Sequence, residues 1–234
     1  MSFFRQSDFV GDDRSSQAQE DLDRLIESIH QELIPRLEME SPNPRNPVIV
    51  HRVPEPWQLL GTGNYAGVFY HSDYSDLVVK IYATGRLGWE DELEVYLRLG
   101  SHPSFSECFY AENNFLILKR LHGVTLYDCM HRGLKIPKQV IKDIDRALEY
   151  ARSCGLYPHD VHGRNVMMSD GRGLVVDVSD FLEEEPCLAW KDLKKAYYLL
   201  YLPLFSWHRL RVPYPILDLV RGSYRLFRRV FDRR

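Results

Sequence analysis

Cysteine is scarce in this sequence. Cys108, Cys129, Cys154 and Cys187 lie more than twenty residues apart and form no C-x-x-C pair. That spacing excludes a zinc site built on cysteine pairs and a disulfide framework, and it fits a reducing cytoplasm as the compartment. Long apolar runs are missing as well. The longest, Tyr197 to Phe205, is too short to span a bilayer and contains Pro203. The stretch from Met1 to Asp8 has no apolar core of signal-peptide length, so a soluble protein is expected. A net charge of one sign is absent too. Thirty Lys and Arg against 33 Asp and Glu give −3, which argues against a nucleic-acid partner recognised by bulk electrostatics.

What is present suits an ordinary folded protein. Apolar residues make up 44% and charged residues 27% of 234, enough for one large domain or two lobes sharing a cleft. The charge is unevenly spread. Residues 209–234 hold eight Arg against two Asp, a net of +6, which leaves −9 for the rest.

Residues 1–15 read as a loose polar terminus. Leu22, Leu25, Ile26, Ile29 and Leu33 then recur at helical spacing, predicting an amphipathic helix to about Ile34, where Pro35 stops or kinks it. Its apolar stripe is expected to pack on the domain behind it, with a partner-binding helix as the alternative. Ser41 to Pro47 is a turn-rich linker. Short strands are expected at 48–50 and 57–60, a longer one at 76–82, and a helix at 89–99. A hairpin at 107–111 and 115–119 should follow, then a connector through Gly123, a short helix at 125–131 and a periodic helix at 138–153 capped by Gly155. Two small strands at 166–168 and 174–176 complete the pattern. The division is therefore 1–47 as an extension, 48–208 as the main domain with lobes at 48–119 and 124–208, and 209–234 as a basic amphipathic segment. In that last segment Ile216, Leu217, Val220, Tyr224, Phe227, Val230 and Phe231 alternate with arginines. Packing with a solvated arginine face is the first expectation, and peripheral contact with an anionic surface stays open.

Three stretches carry candidate chemistry. Gly61, Thr62, Gly63, Asn64, Tyr65, Ala66, Gly67 and Val68 form a glycine-rich hairpin, where bare backbone N–H groups can approach phosphate oxygens. Lys80 stands at the centre of the strand that follows, and an ammonium among apolar neighbours needs an acid. Glu92, at the edge of the apolar stripe of the 89–99 helix, is the first candidate and Glu94 the second. Downstream, Asp160, then Asn165, then Asp177 at the end of an apolar run match a phosphoryl-transfer layout. Asp160 would accept the proton of an attacking hydroxyl, and Asn165 and Asp177 would offer oxygens to magnesium. Asp180 reads as a turn residue, with a second metal contact as the alternative.

The ordered set Gly61-x-Gly63, Lys80, Glu92, Asp160-x-x-x-x-Asn165 and Asp177 resembles the protein kinase-like superfamily over roughly residues 48–205. Within it the chain is most similar to compact bacterial serine/threonine kinase-like proteins. The resemblance implies an α+β, two-lobe fold. It would have a small antiparallel β-sheet N-lobe with one helix, a mostly helical C-lobe with a short activation segment, and ATP with Mg²⁺ in the cleft between. It implies that Lys80 positions phosphates, Glu92 orients Lys80, Asp160 is the base, Asn165 and Asp177 hold the metal, and His162 touches the transferring phosphoryl group. Asp192 resembles the acid that holds the catalytic-loop backbone; an ordinary helix-start acid is the alternative.

The chain also departs from the pattern. Ala66 replaces the third glycine, Pro158 replaces the usual His, Asp177-Val178-Ser179 replaces Asp-Phe-Gly, and no Ala-Pro-Glu follows. The favoured acceptor is a protein Ser or Thr. A small-molecule hydroxyl, as in aminoglycoside or sugar kinases, is the alternative suggested by His162, and a nucleotide-binding pseudokinase scaffold is the third reading.

Overall fold

A computed structural model describes residues 3–5, 13–43, 46–185, 187–205 and 211–231, with the side chains of 3, 13–16, 205 and 225–231 outside the description. The chain forms two compact units, Met1–Leu121 and His122–Arg234.

The first unit is built on β1 (Phe3–Arg5), β4 (Trp57–Thr62), β5 (Ala66–His71), β6 (Leu77–Tyr82), β7 (Cys108–Glu112) and β8 (Phe115–Lys119), all antiparallel in the order β1-β7-β8-β6-β5-β4. A separate two-stranded ladder joins β2 (Glu38–Glu40) to β3 (Ile49–Arg52). Side chains alternate across a strand, so neighbours on β6 face opposite ways. Val79 and Ile81 lie in a core with Leu22, Leu25 and Ile29, contributed by α1 (Asp13–Ser28) and the π-helical turn Ile29–Leu33 that continues it. Lys80 and Tyr82 face the other way, toward α2 (Trp89–Leu99). The stripe of α1 is thus consumed by packing. The helix gives way to a 3₁₀ turn at Ile34–Arg36, where Pro35 has no N–H to continue an α-helix.

The second unit is mostly helical. Its helices are α3 (Leu126–Arg132), α4 (Lys138–Ser153), α5 (Ala189–Ala196), α6 (Leu202–Phe205) and α7 (Tyr214–Phe231). A three-stranded sheet, ordered β11-β10-β9, joins β9 (Val124–Thr125), β10 (Val166–Ser169) and β11 (Arg172–Val175). The hairpin of β10 and β11 starts just after Asn165 and ends just before Asp177. A Cβ at Gly173 would lie 2.3 Å from the Val140 carbonyl oxygen of α4, so only glycine lets β11 pack this closely. Asp143 of α4, 5% exposed, takes the Gly173 N–H at 3.2 Å and the Arg172 guanidinium at 2.6 Å. The fold class is α+β, an antiparallel-sheet unit and a mostly helical unit, with a short segment between Asp177 and α5.

Two local expectations give way. Residues 3–5 are not loose: Phe3, Phe4 and Arg5 pair with Glu112, Ala111 and Tyr110. The reason is the unpaired backbone of β7, which accepts any extended segment within reach. Residues 38–40 likewise form a strand that three residues of alternating polarity could not reveal. The expectations for residues 209–210 and 232–234, and for the side chains of Arg225 to Phe231, fall outside the described residues. Among the described residues no helix is long and apolar enough to cross a membrane.

Candidate active site

Lys80 sits in the interior of the sheet, opposite Val68 of β5 and Leu116 of β8. Its Nζ donates to Glu92 Oε1 at 2.8 Å and lies 2.6 Å from Oε2, with the two side chains 12% and 0% exposed. Tyr82, on the same face of β6, donates its hydroxyl to Glu92 Oε2. Glu92 lies in the first turn of α2, where the positive end of the helix dipole favours a carboxylate. Glu94 is half-exposed and pairs with Arg98 on its own helix.

Gly61 to Val68 runs from the end of β4 through a tight turn into β5. The Gly63 N–H donates to the Ala66 carbonyl at 2.9 Å and closes the turn. The Ala83 N–H donates to the Tyr65 carbonyl at 2.9 Å. None of Gly61, Gly63 and Gly67 has a positive φ. A Cβ at Gly61 would meet nothing within 4 Å, and at Gly63 only the Ala66 oxygen at 3.9 Å. Gly67 differs, because a Cβ there would come 2.8 Å from the Phe69 ring and 3.2 Å from Met39 Sδ. Gly67 therefore serves packing. Gly61 and Gly63 have room for a Cβ, although Gly61 pairs with Val68 in the ladder and the Gly63 N–H and carbonyl are engaged by Ala66 and the Val48 N–H at 2.9 Å.

In the second unit Asp160 opens a loop and adopts φ +47°, a left-handed conformation that Asp tolerates better than most residues. Its side chain is 52% exposed. Asn165 ties this loop together: its Nδ2 donates to the Asp160 carbonyl at 3.1 Å and its N–H to the His162 carbonyl at 2.9 Å. Its own carbonyl accepts from Val176 N–H at 2.9 Å, which brings Asn165 beside the residue that precedes Asp177. Asp177 Oδ1 accepts the Ser179 N–H at 3.2 Å and also the Ser179 hydroxyl. Val178 and Phe181 are buried, and the Phe181 carbonyl takes the Tyr157 N–H at 2.8 Å, so the segment after Asp177 is anchored.

His162 Nδ1 accepts the Arg164 N–H at 3.3 Å, so in the neutral ring the proton sits on Nε2, 3.7 Å from Asp160 Oδ2. Burial lowers its pKa and so does Arg221 of α7, while Asp160, a backbone hydrogen bond and Asp177 pull the other way. The ring is thus neutral at neutral pH and offers an N–H donor. Burial, then the carboxylates of Asp177, Glu183 and Asp160, push Asp180 up to about 6, with His159 opposing. Its carbonyl accepts the Glu183 N–H at 3.1 Å, as a turn residue would.

Among the described residues no group of three or more His, Cys, Asp or Glu side chains could hold a metal ion by itself. Magnesium bound with a nucleotide needs only one or two protein oxygens beside phosphates and water, which Asn165 and Asp177 can supply.

Reasoning from sequence missed several residues here. Tyr82 was within reach, since it follows Lys80 by two positions on one strand face. Arg164, in the loop between Asp160 and Asn165, bonds Asp218 of α7 at 2.8 Å, a pairing across 54 positions with no local signal. Asp192 bonds Tyr224 of α7 at 2.9 Å and lies 3.9 Å from Lys195, so its partners are not the backbone of the Asp160–Asn165 loop.

No family model matches the sequence. Over 116 residues the chain is 33% identical to a Bacillus subtilis protein named "Putative serine/threonine-protein kinase YrzF", covering 49% of this chain and 54% of that protein. It is 25% identical over 142 residues to the CBL-interacting serine/threonine-protein kinase 16 of Arabidopsis thaliana, covering 53% of this chain and 30% of the relative. The chain thus spans about half the length of the first relative and under a third of the second. The PknI kinase domain of Mycobacterium tuberculosis is 21% identical, with a TM-score of 0.41 over 55% of this chain and 59% of that one. Both sequence relatives carry the name of serine/threonine-protein kinases.

Proposed function

We propose that this chain, as a protein kinase-like protein, is an ATP- and Mg²⁺-dependent phosphotransferase whose favoured acceptor is Ser or Thr of a protein. The observation that carries the reading is the Lys80–Glu92 pair. A carboxylate with no solvent exposure, holding a cation in the interior of a sheet, is not an economical way to stabilise a core; apolar side chains do that as well or better. A lysine that must present its charge to phosphate in one geometry does need such an acid.

In this reading Gly61 to Val68 covers the phosphates with backbone N–H groups, and Lys80, aimed by Glu92, meets their charge. Mg²⁺, when bound, neutralises charge on the transferring phosphoryl group, with Asn165 and Asp177 as its protein ligands. Asp160 accepts the acceptor's hydroxyl proton as the oxygen–phosphorus bond forms and the bond to the leaving ADP oxygen breaks; the proton then passes to solvent. His162 donates its Nε2–H toward the transferring group.

A small-molecule acceptor is the second reading. It is favoured by the anchored, short segment after Asp177, which offers a peptide little length to lie along.

The test is the full-length chain with [γ-³²P]ATP, Mg²⁺, casein, and sugar and aminoglycoside acceptors. Label is expected in protein. Asp160→Asn should abolish it while Mg·ATP affinity, read by calorimetry, stays close to wild type; Asp177→Asn should weaken nucleotide binding itself. Label only in the small acceptors would move the assignment to the second reading, and ATP binding without transfer to any acceptor would make the chain a scaffold.

A further inference from the structure

The C-terminal helix α7 reaches the catalytic loop through polar contacts. Asp218 Oδ1 accepts from Arg164 Nη2 at 2.8 Å and from the Tyr127 hydroxyl at 2.6 Å. The Arg164 guanidinium also lies over the Tyr127 ring, 4.2 Å from its centroid. Tyr127, in the first turn of α3, donates its own N–H to the Gly163 carbonyl at 2.9 Å. Gly163 and Arg164, the two residues before Asn165, are therefore held from α3 and α7 together. The helix is pinned on either side of Asp218. Tyr214 stacks on His131 at 3.7 Å and donates its hydroxyl to Asp128 at 2.9 Å, and Tyr224 donates to Asp192 at 2.9 Å.

The charge pattern points the same way. Residues 209–234 carry eight Arg and only two Asp, and one of those two is the acid that meets the loop arginine. The Arg164 and Asp218 side chains are 43% and 54% exposed, and ion pairs so exposed contribute little to stability. What this pair does is hold a geometry.

We propose that Asp218 is a positioning residue for phosphoryl transfer: through Arg164 and Tyr127 it fixes the loop backbone that presents Asp160 and Asn165. This rests on the proposed phosphotransferase activity, and it makes the C-terminal helix a part of the site. Because Asn165 adjoins Arg164, release of the arginine disturbs the metal ligand and the base, and leaves acceptor binding alone.

The test combines kinetics with hydrogen exchange on the full-length chain. Asp218→Ala and Arg164→Ala should each lower kcat about tenfold, the scale of a small misplacement of reacting groups. Each should also raise the Mg²⁺ concentration needed for half-maximal rate, with the acceptor KM and the thermal midpoint little changed. The double variant should be no worse than either single one, and Asp218→Glu should recover part of the rate. Exchange at amides 161–166 should quicken in Asp218→Ala. A folded Asp218→Ala with wild-type kcat and Mg²⁺ response, losses that simply add, or unchanged exchange overturns the proposal. Should Asp218→Ala fail to fold, Arg164→Ala carries the same readouts. If the wild-type chain transfers phosphate to no acceptor, the activity reading fails and the exchange result alone decides the clamp.

Discussion

Gly61 and Gly63 have neither a positive φ nor a close neighbour, so the fold has room for a methyl at both. Gly63→Ala is therefore expected to keep stability or raise it by about 0.4–1 kcal/mol, through a less flexible unfolded chain, while weakening Mg·ATP binding. Gly67→Ala should do the reverse, costing about 1–3 kcal/mol because Phe69 and Met39 must give way. Thermal unfolding and nucleotide titration of the two variants separate these effects. Unaltered affinity in Gly63→Ala would remove the hairpin from the phosphate site. Lys80 and Glu92 were legible for a related reason: an isolated charge in an apolar strand calls for a partner, and the helix stripe limits the choice. Their added partner Tyr82 follows from strand alternation.

The hairpin of β10 and β11 carries the backbone between Asn165 and Asp177, and its seat on α4 depends on Asp143. The Arg172 guanidinium, with Gln139 and the Gly173 N–H, holds the Asp143 carboxyl below its usual range against the opposing effect of burial. A depressed carboxylate contributes stability above its unfolded value and loses it as pH falls through the folded one, here in acid below about pH 4. Asp143→Asn should cost about 1–3 kcal/mol at neutral pH, the range for a buried group left poorly paired. The gap from wild type should narrow as the solution is acidified, in urea titrations at neutral and acid pH. A gap independent of pH would mean that shape, not charge, is what Asp143 supplies. None of this was visible in the sequence, where Asp143 reads as a polar position in a helix.

The first unit closes over its N-terminal helix. Leu22, Leu25, Ile29 and Leu33 share a core with Trp57, Phe69 and Phe115, so the N-terminal extension belongs to that unit's interior. Ile29→Ala is expected to cost about 2–5 kcal/mol, as for other fully buried aliphatics. Exposed Glu27→Ala should stay within about 0.5 kcal/mol. Chemical denaturation compares them; equal, small effects would return the helix to the role of a partner-binding segment.

The sequence alone determined what is local. Helical periodicity marked α1, α2 and α4, glycine and strand chemistry marked the β4–β5 turn, and the apolar surroundings of Lys80 called for the Glu92 that pairs with it. Tertiary structure decided what is not local. It paired β1 with β7, turned Asp192 toward Tyr224 and set Asp218 on Arg164. The physical reason is that periodicity records which face of an element is buried. A hydrogen bond between half-exposed side chains of distant segments changes neither pattern nor composition, and it exists only once packing has brought the two backbones together.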